Sequence, residues 1–115
     1  LGYTTFAYSG LTMDADALTA HVTVENTGSR AGLETVQVYV RDVVSSVLTP
    51  VKRLIAYQQV MLQPGEKKEI CFRFDRNDFA LVNRREETVV ESGEFLLMAG
   101  HSSKDEDLMK TSFHL

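Results

Sequence analysis

The feature that most constrains this chain is an alternation of apolar and polar residues with period two. It recurs in short runs separated by turn signals. In residues 18–25, Leu18, Ala20, Val22 and Val24 alternate with Thr19, His21, Thr23 and Glu25; in residues 34–41, Val36, Val38 and Val40 alternate with Gln37, Tyr39 and Arg41. Residues 68–74 place Ile70, Phe72 and Phe74 on one side and Cys71 on the other. Successive side chains of a strand point to opposite faces, so each run offers one face to a core and one to water.

The remaining segments fit the same scheme. Residues 3–8 are β-branched and aromatic and stop at Ser9-Gly10, which predicts an edge strand. Residues 54–62 form a strand whose alternation is interrupted at Ile55-Ala56, the mark of a bulge. Residues 88–90, 95–99 and 108–115 complete the set, the second wholly apolar and the last carrying Phe113 and Leu115 on one face. Turns are expected at residues 13–16, 26–32, 63–66 and 91–94. Gln63-Pro64-Gly65-Glu66 is the clearest, because proline presets φ at the second position and glycine accepts a positive φ at the third. Only residues 75–82 have helical spacing: Asp75 or Asn77 would cap one or two turns, with Phe79 and Val82 facing inward. About seven short strands and almost no helix predict an all-β antiparallel sandwich with Greek-key connections, in one domain spanning residues 1–115.

Bulk properties exclude several functions. A formal net charge of −4 with scattered basic residues argues against nucleic-acid binding. No apolar run approaches the ~20 residues of a membrane span. The single Cys71 forms no internal disulfide or cysteine zinc site. The chain begins at Leu1, which suggests a mature product or an excised piece of something longer, and leaves the compartment open between cytoplasm and secretion.

Candidate chemistry is sparse, and no catalytic, cofactor or metal residue is expected. Glu25, Glu34 and Asp42 are read as outward or terminal strand residues, and Glu86-Glu87 and Asp105-Glu106-Asp107 as solvated loop charge without the spaced ligands of a calcium loop. His101, Ser102 and Asp105 are the residue types of a hydrolase triad, but neighbours on one turn do not form that relay. His21, His101 and His114 make no metal set. Tyr3, Phe6, Tyr8, Tyr39 and Tyr57 are candidates for a sugar-stacking platform; without any Trp, direct sugar binding is not expected.

One stretch resists the scaffold reading. The connection between the third and fourth strands holds Val43, Val44, Val47, Leu48 and Val51, with no glycine. Loops are normally polar because their backbone groups meet water. These four valines and one leucine, rimmed by Asp42, Lys52 and Arg53, form a candidate interdomain contact. The other possibility is a lid that folds back over the edge of the sandwich.

Several motifs together resemble a family. The opening LGYTTFAYSGL is similar to the start of the fibronectin type III-like domain at the C-terminus of glycoside hydrolase family 3 enzymes, notably β-glucosidases. Val24-Glu25-Asn26-Thr27-Gly28 with Gly32 to Val40, then Ser45-Ser46-Val47, Pro50-Val51-Lys52 and Leu54-Ile55-Ala56-Tyr57, resemble its next motifs in order. Leu62-Gln63-Pro64-Gly65-Glu66, Ser92-Gly93-Glu94-Phe95 and Gly100-His101-Ser102-Ser103 continue the match. Ser92, Thr49 and Ala56-Tyr57 depart from the family's usual proline, arginine and Gly-Phe. The resemblance implies a fibronectin type III/immunoglobulin-like sandwich that takes no catalytic role, because the nucleophilic aspartate and acid/base glutamate of such enzymes lie in other domains. The parent reaction it implies is retaining hydrolysis of a terminal β-linked sugar, glucoside or xyloside. The implied partners are the catalytic domains of the same chain; an autonomous carbohydrate- or protein-binding module is the alternative.

Overall fold

A computed structural model describes residues 4–43, 52–82 and 85–115. Its strands are β1 (Phe6–Asp14), β2 (Thr19–Asn26), β3 (Gly32–Asp42), β4 (Arg53–Leu62), β5 (Lys67–Arg73), β6 (Leu81–Val82), β7 (Thr88–Val89), β8 (Glu94–Gly100) and β9 (Met109–His114). A three-stranded sheet, β1-β2-β5, faces a four-stranded sheet, β4-β3-β8-β9, and β6-β7 is a separate ribbon. All pairings are antiparallel. The chain therefore crosses between sheets from β2 to β3, back from β4 to β5, and again before β8. This is the expected sandwich.

The alternation places the core as predicted. Ala20, Val22, Val24, Ile70 and Phe72 from one sheet meet Val36, Val38, Val40, Leu97 and Ala99 from the other, all buried in one cluster. The bulge predicted at Ile55-Ala56 is present: Val38 pairs with Ala56 but Tyr39 with Leu54, leaving one extra residue on β4. Gly65 has φ +79°, and the Glu66 N–H donates to the Gln63 carbonyl across the predicted turn.

Phenylalanines close one end of the sandwich. Asp75 begins a 3₁₀ turn, Arg76–Phe79, with a reciprocal capping box to Asp78. The Arg53 guanidinium donates to the carbonyls of Asp78 and Ala80 at 2.8 and 2.6 Å, fixing the turn against β4. Phe79 is thereby held fully buried, with its ring edge-on to Phe74, Phe95 and Phe113 at 5.4–5.9 Å between centroids.

A polar network closes the other end. Asn26 is fully buried and uses its whole side-chain amide. Its Oδ1 accepts from Thr4 Oγ1 at 2.7 Å and from the Gly28 N–H at 3.0 Å. Its Nδ2 donates to the carbonyls of Arg30 and Leu62 at 2.7 and 3.0 Å. Its backbone bonds Glu66 and Gly65 in the β4–β5 turn. Gly28 is required beside it, since a Cβ there would collide with the Thr4 hydroxyl.

Four expectations need correction. The first strand does not stop at Ser9-Gly10: with φ +65° at Gly10 the chain bulges between Ser9 and Thr12 and continues to Asp14. The reversal falls after it, where Asp14 Oδ1 accepts from the N–H groups of Asp16 and Ala17. Leu18 belongs to that reversal, at φ +54°, not to β2. Glu34 is buried and faces inward, on the side of Val36. Tyr39 does lie on the outer face of its sheet, but it is buried there with Met98 and Leu108. The β8–β9 connection, with its short 3₁₀ turn Asp105–Asp107, folds back beside that face, which explains why β8 is apolar on both sides.

The two closures differ in chemistry and predict different losses. Asn26→Leu strands the Gly28 N–H and two carbonyls away from water and is expected to cost about 3–5 kcal/mol. Phe79→Ala opens a cavity among three rings and is expected to cost about 3–5 kcal/mol. Urea unfolding followed by circular dichroism measures both; a loss below about 1 kcal/mol in either would contradict the assigned role.

Candidate functional site

The expected contact region begins where β3 ends. Asp42 is half-buried, and Val43 follows it with 45% exposure while its N–H donates to the Glu94 carbonyl. Val44, Val47, Leu48 and Val51 lie outside the described residues. Lys52 and Arg53, expected as a polar rim, are both engaged within the domain. Arg53 holds the phenylalanine-bearing 3₁₀ turn, as above. Lys52 Nζ donates to the Ser103 carbonyl and to Asp105 Oδ1, and sits 5.4 Å from the centre of the Tyr39 ring.

Lys52 therefore clamps the far end of the connection onto the β8–β9 connection. Its hydrogen bond, and then its charge, hold the Asp105 carboxyl below the usual carboxylate range, with Arg41 at 3.9 Å adding to the effect. The residues flanking the aliphatic connection are thus each bonded, Val43 to the start of β8 and Lys52 to the connection that follows it.

A second feature was not foreseen. A cleft of about 460 Å³ is lined by Thr4, Thr5, Phe6, Gly32, Leu33, Glu34 and His101. Glu34 reaches it from a buried position: one carboxylate oxygen accepts from Tyr8 Oη at 2.9 Å and the other from the Thr35 N–H at 3.1 Å. Burial first, and the Glu34 charge second, raise the Tyr8 hydroxyl well above its ordinary value near 10, so it remains a proton donor to Glu34. The signal was available in the alternation, since Glu34 shares the parity of Val36, Val38 and Val40.

The other candidates stay apart. His101 Nε2 lies 3.9 Å from Asp107, and Ser102 Oγ contacts Asp107 and the Lys104 N–H, so these residues order their own turn. His21 faces Glu69 at 3.8 Å across β2–β5. Cys71 is exposed on the outer face of the three-stranded sheet. Among the described residues, no group of three or more His, Cys, Asp or Glu side chains converges as a metal site. Of the described aromatic platform candidates, Tyr8 is tied to Glu34, Tyr39 is covered, Phe6 packs half-buried against the core, and Tyr57 is widely exposed, at 65%. Tyr3 lies outside the described residues.

The comparisons with known proteins agree with this architecture. Residues 34–103 match the family model of the fibronectin type III-like domain. The thermostable β-glucosidase B of Acetivibrio thermocellus is 43% identical over 112 residues, covering 91% of this chain and 15% of that protein. A β-xylosidase of Formosa agariphila is 37% identical over 118 residues, covering 97% of this chain and 16% of its own length. Among solved structures, the family 3 β-glucosidase of Bifidobacterium adolescentis superposes over 100% of this chain and 18% of its own, with a TM-score of 0.85 and 37% identity. A β-glucosidase of saponin metabolism from intestinal bacteria superposes with a TM-score of 0.88 at 39% identity. This chain thus spans about one-sixth of the length of the relatives it matches. It belongs to the fibronectin type III-like domain family, in the form found within glycoside hydrolase family 3 β-glucosidases and their relatives.

Proposed function

We propose that this chain is a non-catalytic accessory domain of a β-glucosidase-like enzyme, packing on the catalytic domains of the same chain and stabilising them. The observation that carries the reading is the coverage: relatives named as glycosidases match nearly all of this chain with about one-sixth of their own. The geometry supports it. Both ends of the sandwich are built for rigidity, one by a saturated amide and the other by stacked rings. Several ionisable groups are engaged in turns and cross-strand pairs, as with His101 and Asp107, Lys52 and Asp105, and Tyr8 and Glu34. The reaction of the parent is hydrolysis of terminal β-linked sugars, and the two carboxylates it needs would be supplied by the catalytic domains.

The aliphatic connection between β3 and β4 is part of this proposal. Val43, Val44, Val47, Leu48 and Val51 supply apolar contact to the catalytic domains. Lys52 and Arg53 contribute by fixing where the connection re-enters the sheet.

Two measurements test the proposal. A glycosidase chain carrying this segment is expected to lose several degrees of Tm, and soluble yield with it, when the segment is removed. The purified 115-residue segment is expected to leave aryl β-glycosides unhydrolysed and to give no saturable heat with cello- or xylo-oligosaccharides. Turnover that survives controls for contaminating enzyme would overturn the non-catalytic assignment. A saturable sugar isotherm would favour an autonomous binding module instead.

A further inference from the structure

We infer that the outer face of the β3–β4 pair is the surface on which the rest of the glycosidase chain docks, with Tyr57 and Met61 at its centre; this rests on the accessory-domain reading. Among the described residues, the large hydrophobic side chains left exposed are Leu33, Val43, Leu54, Tyr57 and Met61. Scattered singly over a surface they would need no explanation. They are not scattered. All five belong to β3, β4 or the residue that follows β3.

Register puts four of them on one face. Leu33 pairs with Met61, Gln37 with Tyr57, and Tyr39 with Leu54 after the bulge, and these positions share the parity opposite to core-facing Val36 and Val38. From Leu54 to Met61 the stripe runs about 23 Å at ~3.3 Å per residue. Leu33 continues it into the cleft lined by Thr4, Thr5 and Phe6.

Charge distinguishes this face from its counterpart. Between Leu33 and Tyr39 on β3, and between Leu54 and Met61 on β4, the outward positions hold Thr35, Gln37, Tyr57 and Gln59, none of them ionised at neutral pH. Their polar groups are partly satisfied among themselves: Gln59 Nε2 donates to Thr35 Oγ1, and Tyr39 Oη donates to Gln37 Oε1. The outer face of the three-stranded sheet instead carries His21, Glu25, Lys67, Glu69 and Arg73. Depletion of charge around exposed aromatic and Met side chains is the composition of an interface centre.

The occupant follows from what is absent from this structure. Relatives that match the chain along 91–97% of its length are more than five times longer, so a domain of this kind sits beside a large body of the same polypeptide. The other half of the same sheet face is already covered from within, by the β8–β9 connection over Tyr39 and Met98. The bare half is what remains for a neighbour. Val43, exposed directly after β3, belongs to the same pair of strands.

The test uses the full glycosidase chain that carries this segment. The double substitution Tyr57→Lys with Met61→Lys is expected to lower its Tm by about 5 °C, whereas Cys71→Lys on the opposite face is expected to stay within about 1 °C. If the double variant behaves like Cys71→Lys while removal of the segment still lowers Tm, the docking face is wrong and the accessory role stands. If removal changes nothing, the accessory role itself fails. A double variant that turns a dimer into a monomer by light scattering, with Tm unchanged, would assign the face to a second copy and overturn the inference. Should the double variant not fold, peroxide oxidation of Met61 in the unaltered enzyme decides. The side chain is expected to react at least tenfold more slowly than in the urea-unfolded chain, and equal rates overturn the inference.

Discussion

The structure depends on the side-chain amide of Asn26. An amide offers two acceptor lone pairs and two donor hydrogens, and here all four are used at once. The groups it joins come from the segment before β1, the β2–β3 connection and the end of β4, while its backbone reaches the β4–β5 turn. The β2–β3 and β4–β5 connections are places where the chain passes from one sheet to the other. Each carbonyl and N–H there would otherwise be buried without a partner, at about 1–3 kcal/mol apiece. Aspartate would turn an acceptor toward the Arg30 and Leu62 carbonyls, and leucine would satisfy nothing. The site accepts one residue type, and through it the two sheets are fixed in relative position at this end.

Tyr8 and Glu34 extend the same logic into the cleft. Glu34 stands where the alternation of β3 calls for an apolar residue. Its burial is tolerated because Tyr8, from the other sheet, and the Thr35 N–H take up its oxygens. A hydroxyl held protonated by burial is a durable donor, so the pair links β1 to β3 as a hydrogen bond. It ties one particular residue of β1 to one particular residue of β3 across the sandwich. The end opposite needs no such selectivity: Phe79 among Phe74, Phe95 and Phe113 fills space, and Arg53 merely fixes the turn that delivers it.

What could be read from the sequence, and what could not, divides along physical lines. Strand identity, inward residues, the β4 bulge and the Pro64-Gly65 turn depend on neighbours in sequence, and period two or φ preference reveals them directly. Burial of Tyr39 and Met98 depends on a connection folding back over the outer face, which no local pattern encodes. Gly10 looked like a stop because glycine serves turns and bulges equally, and only pairing with β2 tells them apart. Glu34 was legible in principle. Its parity pointed inward, and the expectation that carboxylates face water prevailed over the parity. The apolar stripe is half legible: Val43 stands out as a loop residue and Tyr57 as a candidate exposed aromatic, while Leu54 and Met61 read as ordinary members of a strand.

The order already present in the four-stranded sheet also bears on why the docking surface we infer is a sheet face. A connection alone gives poor purchase, because ordering its side chains costs conformational entropy at the moment of contact. A sheet face is already ordered, so the cost of fixing Leu33, Leu54, Tyr57 and Met61 is largely met when the domain folds. Lys52, just before β4, adds to that order: it bonds Asp105 and the Ser103 carbonyl in the β8–β9 connection and sits against the Tyr39 ring. The clamp therefore acts at the boundary between the half of the face that the domain covers itself and the half left bare. Lys52 lies outside the main core cluster, so the clamp orders this outer face without being part of the packing that holds the two sheets together.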